Sequence, residues 1–186
     1  MEVKNQITDK LKLCILITGA TGFIGRNLVR HILAEYHNDY RIVLLCRSKN
    51  NVPEDFLQSK FIEILEHDLI VVVLPAAIEI ALAFATEMTL PMRDLNIIRT
   101  SATVSIPRLE GLNGLKIAVI DDGVESGSTA MAIGAMLRGA SVSSATLIVP
   151  VCPKSVVPYL LGVYDTIHAV VSPPTPSSLR LHYEVS

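Results

Sequence analysis

Residues Ile117 to Thr129 read IAVIDDGVESGST. Four apolar residues run without interruption, as in a parallel strand covered on both faces. Two carboxylates, Asp121 and Asp122, follow at the strand's carboxyl end. A short loop of small and hydroxyl-bearing residues comes next, and a helical pattern then runs from about Thr129 to Arg138. In a strand–loop–helix unit of this kind, loop N–H groups and the positive end of a helix dipole can hold an anion. The Ser126, Ser128 and Thr129 hydroxyls can surround a phosphate, and the two carboxylates can accept hydrogen bonds from ribose hydroxyls. A sugar 5′-phosphate is a ligand that asks for both. The plainer alternative makes Asp121 and Asp122 solvated groups at a strand end.

The pattern alternates on either side. Downstream, Ser144 to Val149 and Thr166 to Val171 read as strands, with a helix over Lys154 to Leu161 between them. Upstream, Val71 to Leu74 reads as a strand, Ala76 to Met88 as a nearly all-apolar helix and Leu95 to Arg99 as another strand. Such alternation predicts an α/β fold: Rossmann-like, mainly parallel, with helices on both faces of the sheet. The apolar helices predict core or dimer interface rather than a cofactor pocket.

The Ile117 to Thr129 segment resembles the phosphoribosyl-pyrophosphate (PRPP) motif of type I phosphoribosyltransferases, with Ser126 where a Thr is usual. The resemblance covers residues 71–186. It extends to Pro150-Val151-Cys152-Pro153 and the ending His182-Tyr183-Glu184, which look like a bacterial subgroup. It implies that Asp121 and Asp122 bind the ribose hydroxyls. It implies that the loop Gly123, Val124, Glu125, Ser126, Gly127, Ser128 and Thr129 lines the substrate site, with Glu125 to Thr129 on the 5′-phosphate. Glu125 would sit near the base and exchange a proton with it; the alternative is an ordinary loop glutamate. Mg²⁺ would come with the PRPP, since few hard ligands lie beyond the Asp pair. Three features depart from the family. Pro75 is followed by Ala76-Ala77-Ile78 where Arg-Gly-Gly is typical. Thr100 to Lys116 is short for the mobile catalytic loop, with Ser101, Ser105 and Arg108 as remnants. Ser172 to Arg180 offers no aromatic to stack on a base.

A second nucleotide signal lies in residues 1–69. Leu13 to Thr18 is an apolar strand, Gly19, Gly22 and Gly25 follow, and an apolar periodicity through Phe23, Ile24, Leu28, Val29, Ile32, Leu33 and Tyr36 predicts a helix. His37-Asn38-Asp39 ends that helix, and Arg41 to Cys46 is a second strand. The glycines serve a tight turn, close approach to a pyrophosphate and close helix–strand packing. Thr18 to Val29, TGATGFIGRNLV, resembles the cofactor-binding start of extended short-chain dehydrogenases of the epimerase type. That resemblance implies a cofactor site at Gly19, Thr21, Gly22, Phe23, Ile24 and Gly25. Arg47, with no acid beside it, implies NADP rather than NAD, and Asp68 would lie beside the adenine. The alternative for Arg47 and Asp68 is again solvated strand ends. No tyrosine has a lysine four positions later, so the family's catalytic Tyr-x-x-x-Lys is absent.

Phe61 to Leu65 and Ile70 to Leu74 both read as strands, yet only four residues separate them. A parallel crossover needs a dozen or so. They must form a hairpin, one bent strand, or parts of different sheets. A seam near residue 70 therefore divides the chain into residues 1–69, a partial dinucleotide-binding unit, and residues 70–186, a phosphoribosyltransferase-like core.

Composition bounds the rest. The chain's 186 residues give roughly 1.2 domains of average size. A net charge of −2 marks no nucleic-acid binder. Charged residues are 18% against an average of about 25%, and mean hydropathy is +0.45. A homo-oligomer is expected from that surplus of apolar surface if the two parts do not cover each other. Leu69 to Ala85 is short for a membrane span and is broken by Pro75 and Glu79, so no membrane partner is expected. The N-terminus has no signal-peptide pattern, and Cys14, Cys46 and Cys152 have no disulfide or zinc spacing, which together predict a cytoplasmic protein. His31, His67, His168 and His182 lack metal spacing and are expected at the surface or its boundary; no metal site is expected. The reading these features favour is a phosphoribosyltransferase-like protein binding PRPP or a nucleoside 5′-monophosphate. The alternatives are an NADP-binding reductase-like protein and a non-catalytic scaffold that keeps both phosphate loops.

Overall fold

A computed structural model of the chain describes residues 13–17, 19–36, 40–79, 81–82, 90–99 and 104–179. Thr18, His37 to Asp39, Ser101, Arg180 and His182 to Glu184 lie outside the described residues, as does most of the helix expected over residues 76–88.

The fold is α/β and mostly parallel. Strands β1 (Leu13–Ile17), β2 (Tyr40–Cys46) and β3 (Ile62–Glu66) form a parallel three-stranded sheet in that order. Helix α1 (Phe23–Tyr36) joins β1 to β2, and a short 3-10 turn with helix α2 (Glu54–Leu57) joins β2 to β3. A parallel five-stranded sheet follows. It uses β4 (Leu69–Leu74), β5 (Met92–Asn96), β8 (Lys116–Ile120), β9 (Ser144–Val151) and β10 (Thr166–Val171), in the order β10-β9-β8-β4-β5. Strands β6 (Ile98–Arg99) and β7 (Val104–Ser105) make a small antiparallel pair.

The seam resolves into the third of the three possibilities: β3 and β4 belong to different sheets. The transfer takes two residues. His67 N–H donates to the Cys46 carbonyl (3.1 Å), extending the first sheet's ladder. Asp68 N–H donates to the Lys116 carbonyl (2.8 Å), and the Asp68 carboxylate accepts from Lys116 N–H (2.8 Å), opening the second. Lys116 Nζ also pairs with Glu66 on β3.

Strand alternation then sets the layers. On β2, Ile42, Leu44 and Cys46 face α1 and α2, where they pack with Val29, Ile32 and Phe56. Leu16, Leu45 and Leu65 point the other way, into one apolar cluster with Ile70, Val72, Ala118, Ile120 and Ile148 of the larger sheet. The opposite face of the larger sheet packs on helix α3 (Ser128–Gly139) through Ile133 and Leu137. The two sheets thus cover each other, and helices lie outside them on both sides. The apolar surplus has an internal destination here.

Some expected elements differ. The single strand over Leu95 to Arg99 is two strands in different sheets. Strand β5 is an edge strand in which only Leu95 is buried, so its polar residues hide it from any search for apolar runs. The helix over Lys154 to Leu161 shrinks to α4 (Val157–Leu160), because Pro158 lacks an N–H and fits only the first turn. On α1, Val29 and Ile32 are buried but Phe23, Ile24, Leu28 and Tyr36 are exposed. Strand β1 is the edge of its sheet, so the sheet covers only part of the helix's apolar surface.

Candidate functional site

The carboxyl end of β8 delivers Asp121 and Asp122. Asp121 is buried, its N–H bonded to the Ile148 carbonyl of β9 (3.3 Å), while its Oδ1 accepts from Asp122 N–H (2.9 Å). Val124 N–H bonds to the Val151 carbonyl (2.8 Å), which ties the loop to the end of β9. The loop then enters α3 through Gly127 at φ +82°, where a Cβ would lie 2.4 Å from Val156 Cγ1. Glycine is required there twice, by conformation and by space. Ser126 Oγ is 3.1 Å from Ser128 Oγ and accepts weakly from Ser128 N–H (3.4 Å). The hydroxyls expected to hold a phosphate therefore gather at the N-terminus of α3.

Residues 121–130 and Leu179 enclose a cavity of about 370 Å³. Among the described residues its lining carries three carboxylates, Asp121, Asp122 and Glu125, and no lysine or arginine. What these residues offer an anion is N–H groups, hydroxyls and the helix dipole. Two participants have no motif-level signal. Tyr164, fully buried, donates from its hydroxyl to the Ala130 carbonyl (2.9 Å) and pins the first turn of α3. Burial, with the Asp121 charge adding to it, holds that phenol above its ordinary range, so it stays a donor. Leu179 N–H donates to Glu125 Oε1 (2.9 Å) across 54 residues of chain.

The glycine turn is formed as its spacing implies. Gly19 sits at φ +64°, Gly22 N–H closes on the Gly19 carbonyl (3.0 Å), and a Cβ on Gly25 would lie 2.2 Å from that same oxygen. Arg26 Nε donates to the Thr21 carbonyl (2.7 Å). A cleft of about 540 Å³ opens between this turn and the 3-10 turn after β2, lined by Thr21, Arg26, Asn50, Asn51, Val52 and Pro53. Because the strands are parallel, Gly19 and Arg47 both lie at the carboxyl end of the sheet, and Arg47 is exposed there. Phe23 and Ile24 stand in solvent at 84% and 81% exposure. Asp68 turns away from the cleft toward Lys116 of the other sheet. The two cavities share no lining residue.

Two histidines expected at the surface are buried instead. His168 on β10 faces the smaller sheet: Arg41 Nη2 is 3.3 Å from its Nδ1, and Glu63 Oε1 is 3.5 Å from its Nε2 without hydrogen-bond geometry. His67 Nδ1 is buried with no hydrogen-bond partner. Burial lowers both to about 4, so both rings are neutral near pH 7. The Cys46 and Cys152 thiols are free and buried, and burial pushes both up, Cys152 to about 11. Among the described residues no three His, Cys, Asp or Glu group to hold a metal, and no helix is long and apolar enough to cross a membrane.

The NAD_binding_4 family model, described as "Male sterility protein", matches residues 17–73. No curated protein sequence matches the chain. Among solved structures the chain is similar in fold to the AQ2163 protein from Aquifex aeolicus (TM-score 0.50, 14% identity), over 57% of this chain and 55% of that one. It spans about half of that protein's length. It is also similar to a purine phosphoribosyltransferase from Pyrococcus horikoshii Ot3 (TM-score 0.46, 12% identity, 89% of this chain and 96% of that one). A third is an adenine phosphoribosyltransferase from Thermoanaerobacter pseudethanolicus (TM-score 0.46, 15% identity, 57% and 70%). The structural neighbours thus include phosphoribosyltransferases, and the family match lies on the glycine-turn segment.

Proposed function

We propose that residues 121–129 bind the 5-phosphoribosyl group of PRPP or of a nucleoside 5′-monophosphate, and that the reaction served is transfer of that group to a nitrogenous base with release of pyrophosphate. One observation carries this reading: a carboxylate pair, Asp121 buried and Asp122 half-buried, opens into the same cavity as a hydroxyl-rich loop at a helix N-terminus. Ser126, Ser128, Thr129 and the loop amides take the phosphate. Asp121 and Asp122 accept from the ribose hydroxyls and fix the sugar's orientation, leaving C1 toward the open side. Glu125 is the proton-exchanging group beside the base. The three carboxylates of the lining fit Mg²⁺ arriving with the pyrophosphate of the substrate, where it offsets the ligand's negative charge. Calorimetric titration with PRPP–Mg²⁺ tests the reading. Asp121→Asn with Asp122→Asn should weaken binding by about 10- to 100-fold, the loss of charge-assisted hydrogen bonds. Unchanged affinity in the double variant sinks it.

A second site is favoured by the cleft at the glycine turn. Gly19 to Gly25 and the N-terminus of α1 suit a dinucleotide pyrophosphate, and Arg47 suits the 2′-phosphate of NADP. Binding of NADPH lost on Gly22→Asp is the expected result. Equal binding by that variant removes the site.

A further inference from the structure

The segment after β10 reads Ser172-Pro173-Pro174-Thr175-Pro176-Ser177-Ser178-Leu179. Its start is fixed: Cys152 N–H donates to the Val171 carbonyl (3.0 Å) and Lys154 N–H to the Pro173 carbonyl (2.8 Å). Its three prolines restrict φ and stiffen the run toward an extended form. Its end lies over the phosphate loop. Leu179 N–H bonds to Glu125 Oε1. The Leu179 side chain sits so close above Gly123 that a Cβ there would be 2.5 Å from Cδ2. Gly123, at φ +154°, has a backbone that other residues rarely adopt. The cavity of about 370 Å³ persists with Leu179 in its wall, so the segment borders the pocket rather than filling it.

We propose that residues 172–179 are a strap that walls the phosphoribosyl pocket, latched by Leu179 N–H to the Glu125 carboxylate and seated on Gly123, and that the latch slows ligand release. The proposal rests on the reading of residues 121–129 as a phosphoribosyl site. Leu179 is a positioning residue in this scheme: it acts by fixing one oxygen of Glu125 and by closing the pocket's rim. The stiff proline run lowers the entropy lost when the strap closes, so one charge-assisted hydrogen bond and one apolar seat suffice to hold it.

Three variants of the full chain separate the parts. Leu179→Pro removes the donor together with the apolar seat on Gly123 and leaves Glu125 in place. Glu125→Ala removes the acceptor, and Glu125→Gln keeps an oxygen acceptor. Two readouts are taken: hydrogen exchange of the Leu179 amide in the ligand-free protein, and the dissociation rate of PRPP–Mg²⁺. Glu125→Ala should abolish protection of that amide, Glu125→Gln should keep most of it, and Leu179→Pro and Glu125→Ala should each raise the dissociation rate about tenfold, the effect of one hydrogen bond to a charged group. A wild-type Leu179 amide that exchanges like free peptide overturns the proposal, and so does an unchanged dissociation rate in Leu179→Pro. If the Leu179 amide is protected but wild-type protein does not bind PRPP–Mg²⁺, the phosphoribosyl reading is what has failed, and the strap's part in ligand release fails with it.

Discussion

Tyr164 shows how a residue with no motif of its own supports a loop that has one. Its hydroxyl ties the approach to β10 to the first turn of α3, directly behind the loop of residues 121–127. Tyr164→Phe keeps the ring's packing and loses one buried hydrogen bond, a cost of about 1 kcal/mol. For a chain of this size the melting temperature should fall by roughly 2–4 °C, and PRPP–Mg²⁺ affinity should fall with it. A variant that melts with the wild type shows that the bond adds nothing. Gly127→Ala is more severe, because the left-handed conformation and the Val156 contact both oppose a Cβ. Conformation alone costs about 1–2 kcal/mol. Calorimetry or denaturant titration should show at least that loss. At this scale the glycines, carboxylates and hydroxyls of the loop were legible because their chemistry is local. Tyr164 and Leu179 were not, since each acts across more than thirty residues of chain and no short-range pattern records that.

Strands that are covered on both faces announced themselves. β2, β4, β8 and β9 are continuous apolar runs and fall within a residue or two of their expected limits. The edge strand β5 did not, because a strand paired on one side needs only Leu95 inside. The transfer between sheets at residues 67–68 was foreseen as a conflict of spacing, but its mechanism depends on Asp68. The cofactor role implied for Asp68 competes with a structural one, in which its carboxylate caps the start of β8. Asp68→Ala therefore discriminates. The structure predicts faster exchange of the Lys116 amide, about 1 kcal/mol of lost stability and little change in NADPH affinity. Lost NADPH affinity with an unaltered Lys116 amide contradicts that.

The whole molecule is two sheets that cover each other, each leading through a glycine-containing loop into a helix, and the buried His67 and His168 lie at that junction. His168 faces Arg41, Glu63 and His67, and His67 lies near Glu66, Asp68 and Lys116. Both histidines have folded-state values of about 4 against an ordinary 6.5. The folded state therefore binds fewer protons than the unfolded one in that interval. Stability from these groups is fully present above pH 6.5 and is lost as pH falls toward 4. Across that interval each ring adds at most about 1.4 kcal/mol per pH unit to the slope. Melting curves between pH 7.5 and 4.5 should show a steep decline that His67→Asn with His168→Asn flattens. An equally steep decline in the double variant assigns the acid sensitivity elsewhere.

The proposal that residues 121–129 bind a phosphoribosyl group is tested most directly by a crystal of the protein soaked with ribose 5-phosphate. Density is expected with the phosphate on the amides and hydroxyls of Ser126 to Thr129 and the ribose hydroxyls on Asp121 and Asp122. Density at the glycine turn alone, or none in the cavity of residues 121–130 at saturating ligand, contradicts it.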